Sequence, residues 1–353
     1  MVETTIEPFL RNAWYVCAWK EELDKGFVTR TIMNEPLVIF RDAQGRAGAV
    51  EDRCCHRGAP LSSGKVVDKG IECGYHGLVF DVYGKCVEIP GQENIPQAAK
   101  ARAYKVVEKQ GFVWIWMGDP ASADESQLVD YPYHDRPKEW PSVKSVMDIK
   151  CNYMMMIDNL MDLNHLQYVH TKTIGGSPRA VSELNARRTE HGAHFVRWTM
   201  DTNPPPTYVK AVGFQGKIDR WQDFEYVVPG NVLQWAGAVD VGKGARENRE
   251  QPGFHVRIFH AITPRTEREC YYFWSAMNGY QQDNPEATQI LKNELVPTFL
   301  EDIGILELQQ ARVEQEPDRP LVAIRADAAL MHARRAMRDA IAAEQAAMKQ
   351  AAE

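Results

Sequence analysis

Residues 54–77 read Cys54-Cys-His-Arg-Gly-Ala-Pro-Leu-Ser-Ser-Gly-Lys-Val-Val-Asp-Lys-Gly-Ile-Glu-Cys-Gly-Tyr-His-Gly77. Cys54 and His56 form a C-x-H pair, and Cys73 and His76 a C-x-x-H pair. Two thiolates and two imidazoles on two short loops suit a metal centre. A structural zinc would take all four on one ion. A [2Fe–2S] cluster with mixed ligation would take two Cys on one iron and two His on the other. The grouping favours the cluster, because zinc fingers usually pair Cys with Cys and His with His. Gly58 and Gly77 follow the pairs and would let backbone amides approach the cluster sulfides, which raises a reduction potential.

C-x-H…C-x-x-H-G resembles the Rieske motif of the Rieske non-haem iron oxygenases. Cys55 stands where that family often has Pro, and Gly74 where Pro is common. Respiratory Rieske proteins carry an extra, disulfide-forming Cys in each loop. Ala59 and Tyr75 occupy those places here, which argues against the respiratory class.

Around the motif the chain reads as a small β-domain. Short apolar runs at 27–33, 37–41, 47–51, 78–81, 86–89, 105–108 and 112–117 are separated by Gly- and Pro-containing turns. Residues 8–19 lead in as an aromatic strand, and Trp114 and Trp116 read as core filling. The run Gly118-Asp-Pro-Ala-Ser-Ala reads as a linker, so the expected domains are 1–120 and 121–353. A net charge of −7 implies no general affinity for nucleic acid or anionic membranes. The seven Cys, at 17, 54, 55, 73, 86, 151 and 270, show no disulfide-scaffold spacing. With an acidic N-terminus lacking an apolar run, they point to a reducing cytoplasm.

The second chemical stretch is 151–170, Cys-Asn-Tyr-Met-Met-Met-Ile-Asp-Asn-Leu-Met-Asp-Leu-Asn-His-Leu-Gln-Tyr-Val-His. Met156, Leu160, Leu163, Leu166 and Val169 recur at helical spacing. Asp158, Asn159, Asp162, His165 and His170 interrupt them. On a regular helix His165 and His170 lie roughly 140° apart, so for both to meet one ion the helix must widen or end before His170. Two His and one carboxylate bind non-haem Fe(II) and leave positions open for oxygen.

This stretch is similar to the iron-site helix of Rieske oxygenases of the vanillate O-demethylase and dicamba monooxygenase type. The resemblance implies that His165 and His170 ligate a mononuclear iron. It places the third ligand at Asp302, with Glu301 as the neighbouring rival on another helix face. It gives Asp162 the role of bridging His165 of one subunit to His76 of another, hence a homotrimer, and puts Asn159 beside it in the catalytic machinery.

Apolar runs at 193–200, 207–213, 223–228, 231–238, 254–263 and 270–277 read as strands, followed by helix over 285–316. An Ala-rich tail carries Leu330, Met337 and Ile341 on one stripe. The expected class is α+β: an all-β Rieske domain plus a helix-grip catalytic domain. Its antiparallel sheet would enclose the iron and an aromatic substrate. By resemblance His260 contacts substrate. Arg187, Arg197 and Arg257 are candidates to meet a carboxylate bidentately, with Arg257 carried forward beside His260.

The implied activity is that of an oxygenase component using O2 to O-demethylate a vanillate-like methoxy acid, releasing formaldehyde. Ring or side-chain hydroxylation of another aromatic acid is the alternative, and an iron-free electron carrier the alternative of a different class. The chain has no G-x-G-x-x-G, so electrons must come from a separate NADH-dependent flavin/iron–sulfur reductase or a ferredoxin.

Overall fold

A computed structural model describes residues 8–175 and 182–352. Two compact units emerge, one from Phe9–Asp130 with Thr263–Thr266, the other from Tyr131–Ile262 and the chain from Glu267 onward. The division falls near 130, not at 120. Residues 119–130 are tied to the first unit: Trp14 Nε1 donates to the Asp124 carbonyl at 2.8 Å, and Gln110 Nε2 to Asp130 Oδ1 at 2.7 Å.

The first unit is all β. Its strands are β1 (Trp14–Trp19), β2 (Phe27–Ile32), β3 (Glu35–Arg41), β4 (Ala47–Glu51) and β5 (Lys65–Val67). They continue with β6 (Gly70–Glu72), β7 (Val79–Phe80), β8 (Cys86–Glu88), β9 (Ala103–Lys109) and β10 (Phe112–Trp116). A six-stranded sheet runs β1-β10-β9-β4-β3-β2, and a small one runs β5-β6-β7-β8. Trp114 and Trp116 are fully buried, and Trp14 packs edge-on against Trp116 with ring centroids 5.4 Å apart. Val38, Phe40, Val50, Leu61, Ile71 and Phe80 form a core with Cys54 and Cys73 among its members.

The second unit is α+β. In chain order it holds β11 (Ser142–Ile149), α1 (Tyr153–Met161), α2 (Leu166–Val169), β12 (Ser182–Arg188), β13 (Gly192–Thr202) and α3 (Pro206–Val212). Then come β14 (Ile218–Val227), β15 (Asn231–Asp240), β16 (Phe254–Thr266), β17 (Glu269–Asn278), α4 (Pro285–Val313) and α5 (Ala328–Ala352). The antiparallel sheet runs β11-β17-β16-β15-β14-β13-β12. The run 207–213 is helix, not strand: Pro206 presets the first turn, and Gly213, at φ 73°, closes the last in the left-handed region. α4 packs on β11 and β17, and α5 lies over β12, β13 and α1. Leu330, Met337 and Ile341 of α5 are buried, so the stripe serves packing within the unit. No helix among the described residues is long and apolar enough to cross a membrane.

Candidate metal centres

The two loops of the first unit share one turn design. In one, Cys54 N–H donates to the Ala59 carbonyl and Gly58 N–H to the Cys54 carbonyl, at 2.8 and 2.9 Å. In the other, Cys73 donates to Leu78 and Gly77 to Cys73, at 2.8 and 3.0 Å. Gly58 and Gly77 sit at φ 72° and 74°, a conformation that favours glycine. Their own N–H groups are spent on the cysteine carbonyls. Any amide that approaches a cluster sulfide here would therefore come from other residues of the loops, whose turn the glycines allow.

The ligands sort by type. Cys54 and Cys73 are buried together, their side chains within hydrogen-bond reach. Burial, opposed by the backbone at His56 and reinforced by Cys73, pushes the Cys54 thiol up to about 11. His56 and His76 lie at the surface with ring centroids 4.6 Å apart. Cys55 is exposed, unlike Cys54 and Cys73, which are buried. Two thiols inside and two imidazoles outside match one iron each of a mixed-ligand [2Fe–2S] cluster. A lone zinc would need all four donors around one point. Among the described residues the group so gathered is a different one, His165, His170 and Asp302, whose ligand atoms lie within 4.8 Å of one another.

That second group is assembled by a broken helix. α1 begins where Asn152 Oδ1 accepts from Met154 N–H. Gln310 and Glu307 of α4 accept from the Asn152 and Lys150 N–H groups, which sets α1 against α4. α1 ends at Met161, because Asp162 takes an extended conformation (φ −127°, ψ 108°) and its carboxylate accepts from Asn164 N–H. His165 and His170 then flank the single turn α2. The break, not a widened helix, removes the 140° mismatch: the ring centroids are 5.2 Å apart.

Asp302, on the buried face of α4, lies 3.3 Å from His165 Nε2 and 3.0 Å from His170 Nε2. Asn159 Nδ2 donates to the same Asp302 oxygen at 3.1 Å. Each ring is held by its other nitrogen, His165 Nδ1 against the Asp162 carbonyl at 2.6 Å and His170 Nδ1 against Glu301 Oε2 at 2.8 Å. Both Nδ1 atoms therefore keep a proton on the side away from Asp302, so that when a metal binds it is the Nε2 atoms, which face Asp302, that would give up theirs and ligate. Burial would raise the Asp302 carboxyl, but hydrogen bonds from His165 and His170 hold it at about 2. Burial disfavours charged His170, yet Asp302 and Glu301 outweigh it and raise its pKa. Two imidazoles and a buried carboxylate fit a non-haem iron.

Of the remaining expected residues, Asp162 meets His165 within the chain through its backbone carbonyl, and its carboxylate holds Asn164. Glu301 orients His170 instead of standing in for Asp302. His260 is fully buried, its Nδ1 2.6 Å from the Tyr272 hydroxyl and its Nε2 2.9 Å from Gln234 Oε1. Burial drives its pKa down to about 3. Arg257 is an odd number of positions away on β16 and so faces the other side of the sheet. There it stacks on Trp235, 3.6 Å from the ring centroid, beside a groove of about 740 Å³. The expectation that it shares a substrate with His260 therefore fails on strand parity. Arg187 is exposed on β12. Sequence reading missed Gln234, Tyr272 and Arg220; the one signal was their place in the inward alternation of their strands.

Comparison with known proteins agrees with this geometry. Residues 13–99 match the Rieske [2Fe-2S] domain, and residues 149–343 the vanillate O-demethylase oxygenase C-terminal domain. The chain is 38% identical to the iron–sulfur subunit of a toluene-4-sulfonate monooxygenase system of Comamonas testosteroni, covering 92% of this chain and 95% of that one. It is 34% identical to a vanillate O-demethylase oxygenase subunit of a Pseudomonas species, over 96% and 97%. A crystal structure of dicamba monooxygenase bound to dicamba superposes with a TM-score of 0.87 at 32% identity, covering 96% of this chain and all of that one. With a Rieske cluster loop pair in one unit and a two-histidine, one-aspartate iron site in the other, this chain belongs to the Rieske non-haem iron monooxygenases, the oxygenase components related to vanillate O-demethylase.

Proposed function

We propose that the chain O-demethylates an aromatic methoxy acid of the vanillate type, with electrons from an NADH-dependent reductase or a ferredoxin. The observation that carries this is the convergence of His165, His170 and Asp302, in a family whose relatives include named O-demethylases. Iron, held by these three side chains, would supply oxygen activation, and a cluster held by Cys54, His56, Cys73 and His76 would supply the electrons. In balance, the methoxy C–H bond gains one oxygen atom, the other leaves as water, and the hemiacetal separates into a phenol and formaldehyde.

The chain's own residues set up that chemistry. Asp302 and the two Nε2 atoms form one face of the site, and Asn159 steadies the carboxylate with its amide. Glu301 and the Asp162 carbonyl hold both rings in the ligating tautomer. We assign the Asp162 carboxylate to a contact with His76 of a neighbouring copy, in a homotrimer. Support comes from its position at the break, three residues before His165. We place His260 in the substrate wall through its ring, since both its nitrogens are engaged. The free cysteines suit a reducing cytoplasm.

The relative named for toluene-4-sulfonate favours a second reading, hydroxylation of a methyl group on an aromatic acid. Incubating the reconstituted protein with a surrogate reductase, NADH and either 3-methoxy-4-hydroxybenzoate or 4-methylbenzenesulfonate separates the two. Stoichiometric formaldehyde from the methoxy acid supports demethylation. A benzylic alcohol from the sulfonate, without formaldehyde from any methoxy acid, replaces it with the second reading.

A further inference from the structure

Two arginines of the second unit lie side by side, and among the described residues neither is in ion-pair contact with an acid. Arg197 of β13 stands opposite Gln222 of β14, and Arg220 of β14 stands opposite Thr199 of β13. They are diagonal neighbours on one face of the sheet, a spacing within reach of long side chains. Phe195 and Phe224, opposite each other and stacked at 5.0 Å, lie on the same face. So does Gln234, which faces Phe224 and holds His260. Arg220 is buried, with 6% of its surface exposed.

Among the described residues neither guanidinium makes an ion pair. Arg197 Nη1 donates to the Leu163 carbonyl at 2.6 Å. Arg220 Nε donates to the Tyr208 hydroxyl at 3.2 Å and its Nη2 to the Ile174 carbonyl at 3.1 Å. An arginine has five N–H donors, so both keep donors beyond these. Burial, and then the charge of Arg220, hold the Arg197 pKa down to about 10, with the Asp162 carboxylate acting the other way. Two like charges sharing a desolvated surface are costly unless an anion joins them. Leu163 lies two residues before His165, and Ile174 four after His170. The paired charges therefore stand against the segment that carries the iron ligands. The Arg220 guanidinium also lies over the Tyr208 ring, 4.8 Å from its centroid, and Tyr208 in turn stacks on Phe254 at 3.8 Å.

We propose that Arg197 and Arg220 together receive the anionic group, a carboxylate or a sulfonate, of the aromatic substrate. This rests on the aromatic-acid reading of the iron site and names the residues that select the acid. Guanidinium forks match the planar carboxylate, and the pair also spans the three oxygens of a sulfonate. A neutral analogue would leave the two charges uncompensated and bind less well.

The test is calorimetric titration of the iron-loaded protein with 3-methoxybenzoate, 4-methylbenzenesulfonate and neutral 3-methoxybenzamide. The wild type is expected to bind an acid at least about tenfold more tightly than the amide. Arg197→Gln and Arg220→Gln should each weaken the acids about ten- to a hundredfold, leave the amide within about threefold, and keep the iron. Three results overturn the proposal: a wild type without acid preference, variants that keep acid affinity, or variants that weaken acid and amide alike. The last would mean that the arginines only pin the ligand segment. If a variant loses iron or does not fold, the wild-type comparison decides. Acid binding that depends on the arginines, without formaldehyde release, counts against demethylation and leaves the site standing.

Discussion

Glu301 Oε2 lies 2.8 Å from His170 Nδ1, across the ring from Asp302, which meets His170 Nε2 at 3.0 Å. Adjacent acids on α4 thus hold opposite edges of one imidazole, and Thr173 Oγ1 donates to the same Glu301 oxygen. Removing that outer partner frees the ring to turn and to change tautomer. Glu301→Ala is expected to lower mononuclear iron affinity about 10- to 100-fold while the cluster absorbance stays as it was. Chelator competition, with the cluster spectrum as internal standard, measures it; unchanged iron retention would assign Glu301 to the surface.

His165→Ala and Asp302→Asn remove ligands outright. Each should lower iron from about three to about two per chain and preserve the brown colour of the cluster. Metal analysis after anaerobic purification reads this directly. Loss of colour together with the third iron would show that the substitution had disturbed more than one centre.

Asp162→Asn tests the proposed link between subunits. Its amide oxygen can still accept from Asn164 N–H, so the break after α1 should survive. Both metals should remain bound while turnover stalls and substrate binding holds. Normal turnover would remove the carboxylate from the electron route.

His260 titrates near 3 because burial disfavours its charged form. Its folded pKa is below its unfolded value of about 6.5. Between the two values the unfolded chain binds the extra proton, so stability falls as pH falls. From pH 7 to pH 5 this group alone should cost about 2 kcal/mol. His260→Gln should flatten that part of the pH profile of urea midpoints. An unchanged slope would place the acid sensitivity in another group.

Arg334 of α5 grips Asp158 of α1 with two nitrogens, at 2.6 to 3.0 Å. Both side chains are largely buried, so Arg334→Leu strands a carboxylate one residue before Asn159. The expected loss is about 2 to 3 kcal/mol, discounted for residual exposure. Adding Asp158→Asn should restore part of it. Urea unfolding of the two variants gives the comparison, and additive losses would deny the coupling.

Much of this protein was legible as sequence because its signals are local. Cys54, His56, Cys73 and His76 sit on two short loops, and ligand type with loop spacing already points to a cluster. Strand alternation outlined most of the sheet, although Pro206 and Gly213 turned one apolar run into α3. Helical periodicity placed His165 and His170 but left their 140° offset open.

Tertiary structure decided what depends on distant chain segments. The break at Asp162 brings the two imidazoles together, and the side of α4 that meets α1 selects Asp302 over Glu301 as the ligand. The parity of β16 separates Arg257 from His260. The register of β13 on β14 sets Arg197 beside Arg220. Local sequence carries conformational preference and ligand chemistry, whereas register and helix rotation are fixed by burying one face of each element against partners far along the chain.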